Sequence, residues 1–97
     1  MEDLAIKILL DISNSSEKYV MYNNYNNDID GLKKLIRFDH AIKYLEKNDY
    51  IIINDYQNTV KSTQNYIAII EKQGIIIKSK GKEKIRELVQ NLIKNWN

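Results

Sequence analysis

The sequence predicts an α+β fold, mostly helical, built as one domain. Three observations carry this. Apolar residues recur at helical spacing at both ends of the chain. β-Branched runs cluster between residues 50 and 77. The length of 97 residues suits a single hydrophobic core. One domain spanning 1–97 follows, with a hydrophobic share of 43% that is too high for a disordered tail.

The first element is a helix over 3–13. Leu4, Ala5, Ile8, Leu9 and Ile12 form one stripe, the pattern of a helix with one buried side. Asp3 can cap its start. Ser13-Asn14-Ser15-Ser16 ends it, because short polar side chains compete for backbone hydrogen bonds. Residues 17–30 read as a loop rich in Tyr and Asn, with Tyr19-Val20-Met21-Tyr22 as its one candidate strand.

Two helices are expected next. The first covers 29–36, with Asp28 or Asp30 as its cap and Leu32, Leu35 and Ile36 as its buried side. The second covers 38–48, with Phe38, Ala41, Ile42 and Leu45 on one face. Asn48-Asp49 is its stop, since Asn tolerates the left-handed position that ends many helices.

Tyr50-Ile51-Ile52-Ile53 and Tyr66-Ile67-Ala68-Ile69-Ile70 read as strands. They flank a polar connection and suggest a long hairpin over 50–78, with Ile75-Ile76-Ile77 as a further extended piece. A helix over 60–73 is the competing reading of this segment. Gly81 is expected to break the last strand. A helix over 82–95 follows, with Ile85, Leu88, Val89, Leu92, Ile93 and Trp96 at i, i+3, i+4, i+7, i+8 and i+11.

Composition removes several functions. There is no cysteine, so disulfides, thiol nucleophiles and zinc–cysteine sites are excluded. A single histidine excludes a multi-histidine metal site. His40 has no Ser or Cys partner at a recognisable spacing, and three scattered glycines make no phosphate loop. The paired carboxylates, Asp28 with Asp30 and Asp49 with Asp55, are explained first as caps and loop residues. The expectation is a protein that is not an enzyme and needs no cofactor or metal. No apolar run resembles a leader or a membrane span, so a cytoplasmic protein without membrane contact is expected.

Charge is uneven. Residues 1–30 carry a net −4 and residues 31–97 a net +6. Ile, Asn, Lys and Tyr make up 49 of the 97 residues. All four have A/T-rich codons, so the placement of lysine says more than its number. A mildly basic remainder is compatible with nucleic-acid contact, and equally with a solvated mixed surface.

A helix pair followed by a β-hairpin is the order of a winged helix-turn-helix domain. Phe38-Asp39-His40-Ala41-Ile42-Lys43-Tyr44-Leu45-Glu46-Lys47-Asn48-Asp49-Tyr50-Ile51 resembles that superfamily's helix running through a turn into a strand. Ile75-Ile76-Ile77-Lys78-Ser79-Lys80-Gly81 is similar to its last wing strand entering a C-terminal helix. Asp49 stands where that pattern has glycine, and Lys78 where it has threonine. Over 38–95 the chain most resembles the small YjcQ-type proteins of bacteria and phages.

The resemblance implies a DNA-binding protein, a transcriptional regulator, with helix 38–48 as the reading helix and double-stranded DNA as partner. Arg37, His40, Lys43, Tyr44 and Lys47 lie away from the core stripe of that helix, and these residue types bond to phosphates or base edges. Lys61 is the one charge of the wing connection. Lys78, Lys80 and Lys82 begin a run, continued by Lys84 and Arg86, that could hold phosphates beside the wing. A wing with a single charge and a weak net charge favour the alternative, a protein-interaction module on the same fold, such as a phage or mobile-element factor that binds a host protein. Two apolar stripes at the termini are more than a small core readily absorbs. A homodimer through the terminal helices is therefore expected.

Overall fold

A computed structural model describes residues 2–22, 29–62 and 68–96. Residues 23–28 of the loop expected over 17–30, with the cap Asp28, the hairpin tip and the first residues of the strand expected from Tyr66, lie outside them. The fold is α+β, and the described residues form four helices and two small antiparallel sheets.

Helix α1, Glu2–Asn14, turns its stripe inward, with Leu4 partly buried at its start. Ala5, Ile8, Leu9 and Ile12 are all core residues. Its last carbonyls are closed by Ser15 N donating to Asp11 O at 3.0 Å. Strand β1, Tyr19–Tyr22, then forms as the one strand expected in this region. Its Tyr22 ring packs at a tilt of 50° against Phe38, with centroids 5.1 Å apart. The Tyr22 hydroxyl donates to Asp11 at 2.7 Å. Burial first, then that bond and the Asp11 charge, push the phenol well above its ordinary pKa.

Helix α2, Ile29–Lys47, replaces the expected pair 29–36 and 38–48. The chain does not turn at Arg37. No Gly or Pro lies between Leu32 and Lys47, and Leu35, Phe38, Ala41, Ile42 and Leu45 continue one stripe into the core. With nothing to break the hydrogen-bond ladder, propagation costs less than a new turn and a second nucleation. No helix-turn-helix exists within 29–47.

The end of α2 fits the expected position but uses a different residue. Asp49, not Asn48, is left-handed, with φ of 62°. Tyr50 N donates to Leu45 O at 3.0 Å and Asp49 N to Glu46 O at 3.1 Å, the paired bonds of a Schellman end. Asn48 instead caps with its side chain, Nδ2 donating to Tyr44 O at 2.8 Å.

The pairing of strands differs from the expected hairpin. Strand β2, Ile51–Ile53, does not pair with the segment around Ile69. It pairs with β5, Ile75–Ile77, with Ile52 opposite Ile76. Strand β4, Ala68–Glu71, pairs with β3, Val60–Ser62, on one side and with β1 on the other. Closing β3 onto β4 spans a shorter loop than closing β2 onto β4, so its entropic cost is lower. The described part of 60–73 is therefore strand, ending in a 3-10 turn at Lys72–Gly74. The row Val20, Ile70 and Val60 faces the core, and Met21, Ile69 and Lys61 share the opposite face.

A helical turn, α3 at Tyr56–Thr59, occupies the polar connection. The buried Thr59 hydroxyl donates to Asn54 O at 2.6 Å. Gly74 sits against Thr59 so closely that an added Cβ would overlap its side chain.

Helix α4, Ser79–Trp96, begins earlier than expected. Gly81 lies inside it and does not break it. Lys78 N donates to Tyr50 O at 2.9 Å, which lays the first turn of α4 on the end of β2. An added Cβ at Gly81 would overlap that same carbonyl oxygen and stand 3.0 Å from Ile77 Cγ2. Among the described residues, no helix is long and apolar enough to cross a membrane.

Candidate nucleic-acid interface

The core stripe of α2 determines what its other side carries. Once Phe38, Ala41, Ile42 and Leu45 point inward, the helical repeat turns Lys33, Ile36, Arg37, His40, Lys43 and Lys47 outward, and all six are exposed. The stripe runs about 21 Å along the helix at 1.5 Å per residue. Among the described residues, Lys33, Arg37 and Lys47 make no ion pair.

Four of the five positions anticipated on this helix share that face: Arg37, His40, Lys43 and Lys47. Tyr44 does not join them fully. It is half-buried and packs against the core, so its ring serves packing. Lys33 was not anticipated, because a helix broken at Arg37 places it on a separate element, and Ile36, expected on the buried side of that helix, is instead exposed because the continuous helix turns it away from the Phe38–Leu45 stripe. The spacing of four between Lys33 and Arg37 was the available signal.

Lys43 is held at one edge of the face. Its Nζ lies 2.8 Å from Asp39 Oδ2 and 5.8 Å from the centre of the Tyr56 ring. The Tyr56 hydroxyl donates to the other Asp39 oxygen. Burial opposes the charge of Asp39, but hydrogen bonds from Lys43 and Tyr56, with the positive charges of Lys43 and His40, outweigh it. They hold the carboxyl below its ordinary value. Burial, then the bond to Asp39 and the charges of Asp39 and Glu46, raise the Tyr56 phenol. Sequence reasoning missed this pair, since 17 residues separate its members and neither belongs to a motif.

A depressed carboxyl contributes stability that is present above its unfolded pKa of 3.8 and is lost as pH falls through the folded value. Tyr56→Phe removes one of the bonds that depress it. The titration midpoint of Asp39, followed by carboxyl carbon NMR, then moves up towards 3.8. An unmoved midpoint contradicts this account of Asp39.

The other anticipated residues approach the face from two directions. Lys61 lines a small cleft of about 120 Å³ with Leu35, Phe38, Asp39 and Tyr56, between α2 and the β3–β4 hairpin. It therefore flanks the Asp39 edge. Lys78 pairs with Asp49 at 3.3 Å, and Lys80 lies 5.2 Å from the Tyr50 ring centre. Both stand at the C-terminal end of α2. Lys82 is exposed further along α4. The run from Lys78 to Arg86 is not one patch, because the helix sends Lys80 and Lys84 to one side and Lys82 and Arg86 to another.

Among the described residues, no group of three or more His, Asp or Glu could hold a metal ion. Comparison with protein families, curated proteins and solved structures returned no match.

Proposed function

We propose that this chain is a small DNA-binding protein, a regulator of transcription, that lays the outer face of α2 against duplex DNA. The observation that carries the reading is the exposed row of Lys33, Arg37, His40, Lys43 and Lys47 on one continuous helix. An α-helix fits the major groove, and cations along its outer face meet phosphates on the groove walls. The β3–β4 hairpin serves as the wing beside it, with Lys61 as its cation. Asp39 partly neutralises Lys43, so Lys33, Arg37 and Lys47 carry most of the phosphate attraction.

Salt dependence tests this. Three cations without an ion pair among the described residues give a slope of log K against log salt of about −3 on duplex DNA. Arg37→Ala with Lys47→Ala should weaken binding and reduce the slope by about 2. Lys43→Ala should change the slope less than Arg37→Ala. Equal slopes for wild type and the double variant remove α2 as the contact.

A second reading keeps the fold and exchanges the partner. Ile52 and Ile76 face each other on the solvent side of the β2–β5 pair, and both are exposed. That apolar pair favours a protein-interaction module, such as a phage or mobile-element factor that binds a host protein. Absence of duplex binding even at low salt selects this reading.

A further inference from the structure

One carboxylate stands at the edge of the cationic face of α2. Each oxygen of Asp39 has its own partner. Oδ2 holds the Lys43 ammonium at 2.8 Å, and Oδ1 accepts the Tyr56 hydroxyl. The Tyr56 ring is a second attraction for that ammonium, with its centre 5.8 Å away. Lys43 is therefore held towards α3 by two groups of its own chain. Lys33, Arg37 and Lys47 have no such restraint, since none of them makes an ion pair among the described residues.

The restraint persists when DNA approaches. If Lys43 moved to a phosphate, Asp39 would stay ionised with only the Tyr56 hydroxyl to bond it. That uncovered charge would lie well within the ~8 Å over which charges act in physiological salt, and it would repel the same backbone. Exchanging a carboxylate for a phosphate gains Lys43 little, and the exchange leaves an anion facing an anion. Tyr56 adds to this, because its hydroxyl fixes the carboxylate in place from the side away from Lys43's oxygen.

We propose that Asp39 is a selectivity residue of the α2 face: it withholds Lys43 from phosphate and lowers the sequence-independent attraction for DNA by one contact. The inference rests on the reading of α2 as the DNA-binding face. Phosphate contacts add affinity without sequence information. A face with one contact fewer binds every duplex more weakly and leaves a larger share of the discrimination to side chains that reach base edges.

Asp39→Asn tests this. Asparagine keeps an oxygen for the Tyr56 hydroxyl but cannot form the ion pair. An exposed i, i+4 pair contributes little to folding, so circular dichroism should be unchanged. Binding to a random-sequence duplex is followed by fluorescence anisotropy across a salt series. The variant should bind roughly threefold to tenfold more tightly at low salt, with a slope steeper than wild type by about 1, as one further phosphate contact is made. Two companions separate release of Lys43 from simple loss of an acid. Glu46→Gln removes a charge that also acts on Tyr56 but belongs to no ion pair among the described residues, so its slope should match wild type. Asp39→Asn combined with Lys43→Ala should lose both the tighter binding and the steeper slope. Equal slopes for wild type and Asp39→Asn, a gain that survives Lys43→Ala, or an equal gain from Glu46→Gln overturns the inference while leaving the DNA reading in place. No binding by wild type or by Asp39→Asn at low salt overturns both.

Discussion

Leu45→Ala lowers the free energy of unfolding by about 3–5 kcal/mol, the upper part of the range for removing a buried leucine. Leu45 is fully buried. It belongs to the cluster that joins Ile8 and Leu9 of α1 to Ile51 of β2 and Ile70 of β4. A cavity there opens where helices and strands meet. The backbone of Leu45 also accepts the Tyr50 N–H that closes α2, so the surroundings are tied in place and collapse poorly onto the gap. A domain of this size holds on the order of 5–15 kcal/mol in total. Urea denaturation measures the effect, with Leu92→Ala as the control. Leu92 is mostly exposed, and its truncation in the monomer should stay within ~0.5 kcal/mol. Equal effects for the two leucines contradict the assigned core.

Gly81→Ala destabilises by about 2–3 kcal/mol, from overpacking and a strained hydrogen bond. The direction is informative. On helix propensity alone, alanine in α4 would add about 1 kcal/mol. The structure reverses that sign, because the new methyl group would overlap the Tyr50 carbonyl oxygen. That oxygen also accepts the Lys78 N–H at 2.9 Å. Relief moves the start of α4 away from β2 and weakens this bond. A fall in Tm of roughly 10–20 °C is expected at this chain length. An unchanged or higher Tm means that α4 does not rest on Tyr50.

These two residues show what could be read from the sequence. Leu45 was legible as core, because its partners Phe38, Ala41 and Ile42 are local and follow the helical repeat. The reason for Gly81 was not legible. Its neighbour Tyr50 is distant in sequence, so Gly81 reads as a strand breaker until β2 and β5 are known to pair. The same limit explains the strands. Isoleucine runs announce strands but not partners, and three runs permit more than one pairing. Periodicity also cannot say which stripe the core takes. The stripes of α1 and α4 look alike in sequence, yet α1 is buried and the outer half of α4 is bare. At the candidate interface, Arg37, His40, Lys43 and Lys47 were found because one helix repeat places them together. Lys33 was hidden by the supposed break at Arg37. The Asp39–Tyr56 bond and the Lys78–Asp49 pair are long-range and left no local trace.

The contact between α2 and DNA is tested most directly by NMR mapping. A short random duplex is titrated into labelled protein at low salt, and backbone amide and arginine side-chain signals are followed. The proposed function predicts shifts concentrated on the outer face of α2, at Lys33, Ile36, Arg37, His40, Lys43 and Lys47, with Lys61 and Lys80 at the margins and reversal on adding salt. An unchanged spectrum, or shifts confined to Val89, Leu92 and Ile93 of α4 or to the Ile52–Ile76 pair, would contradict it.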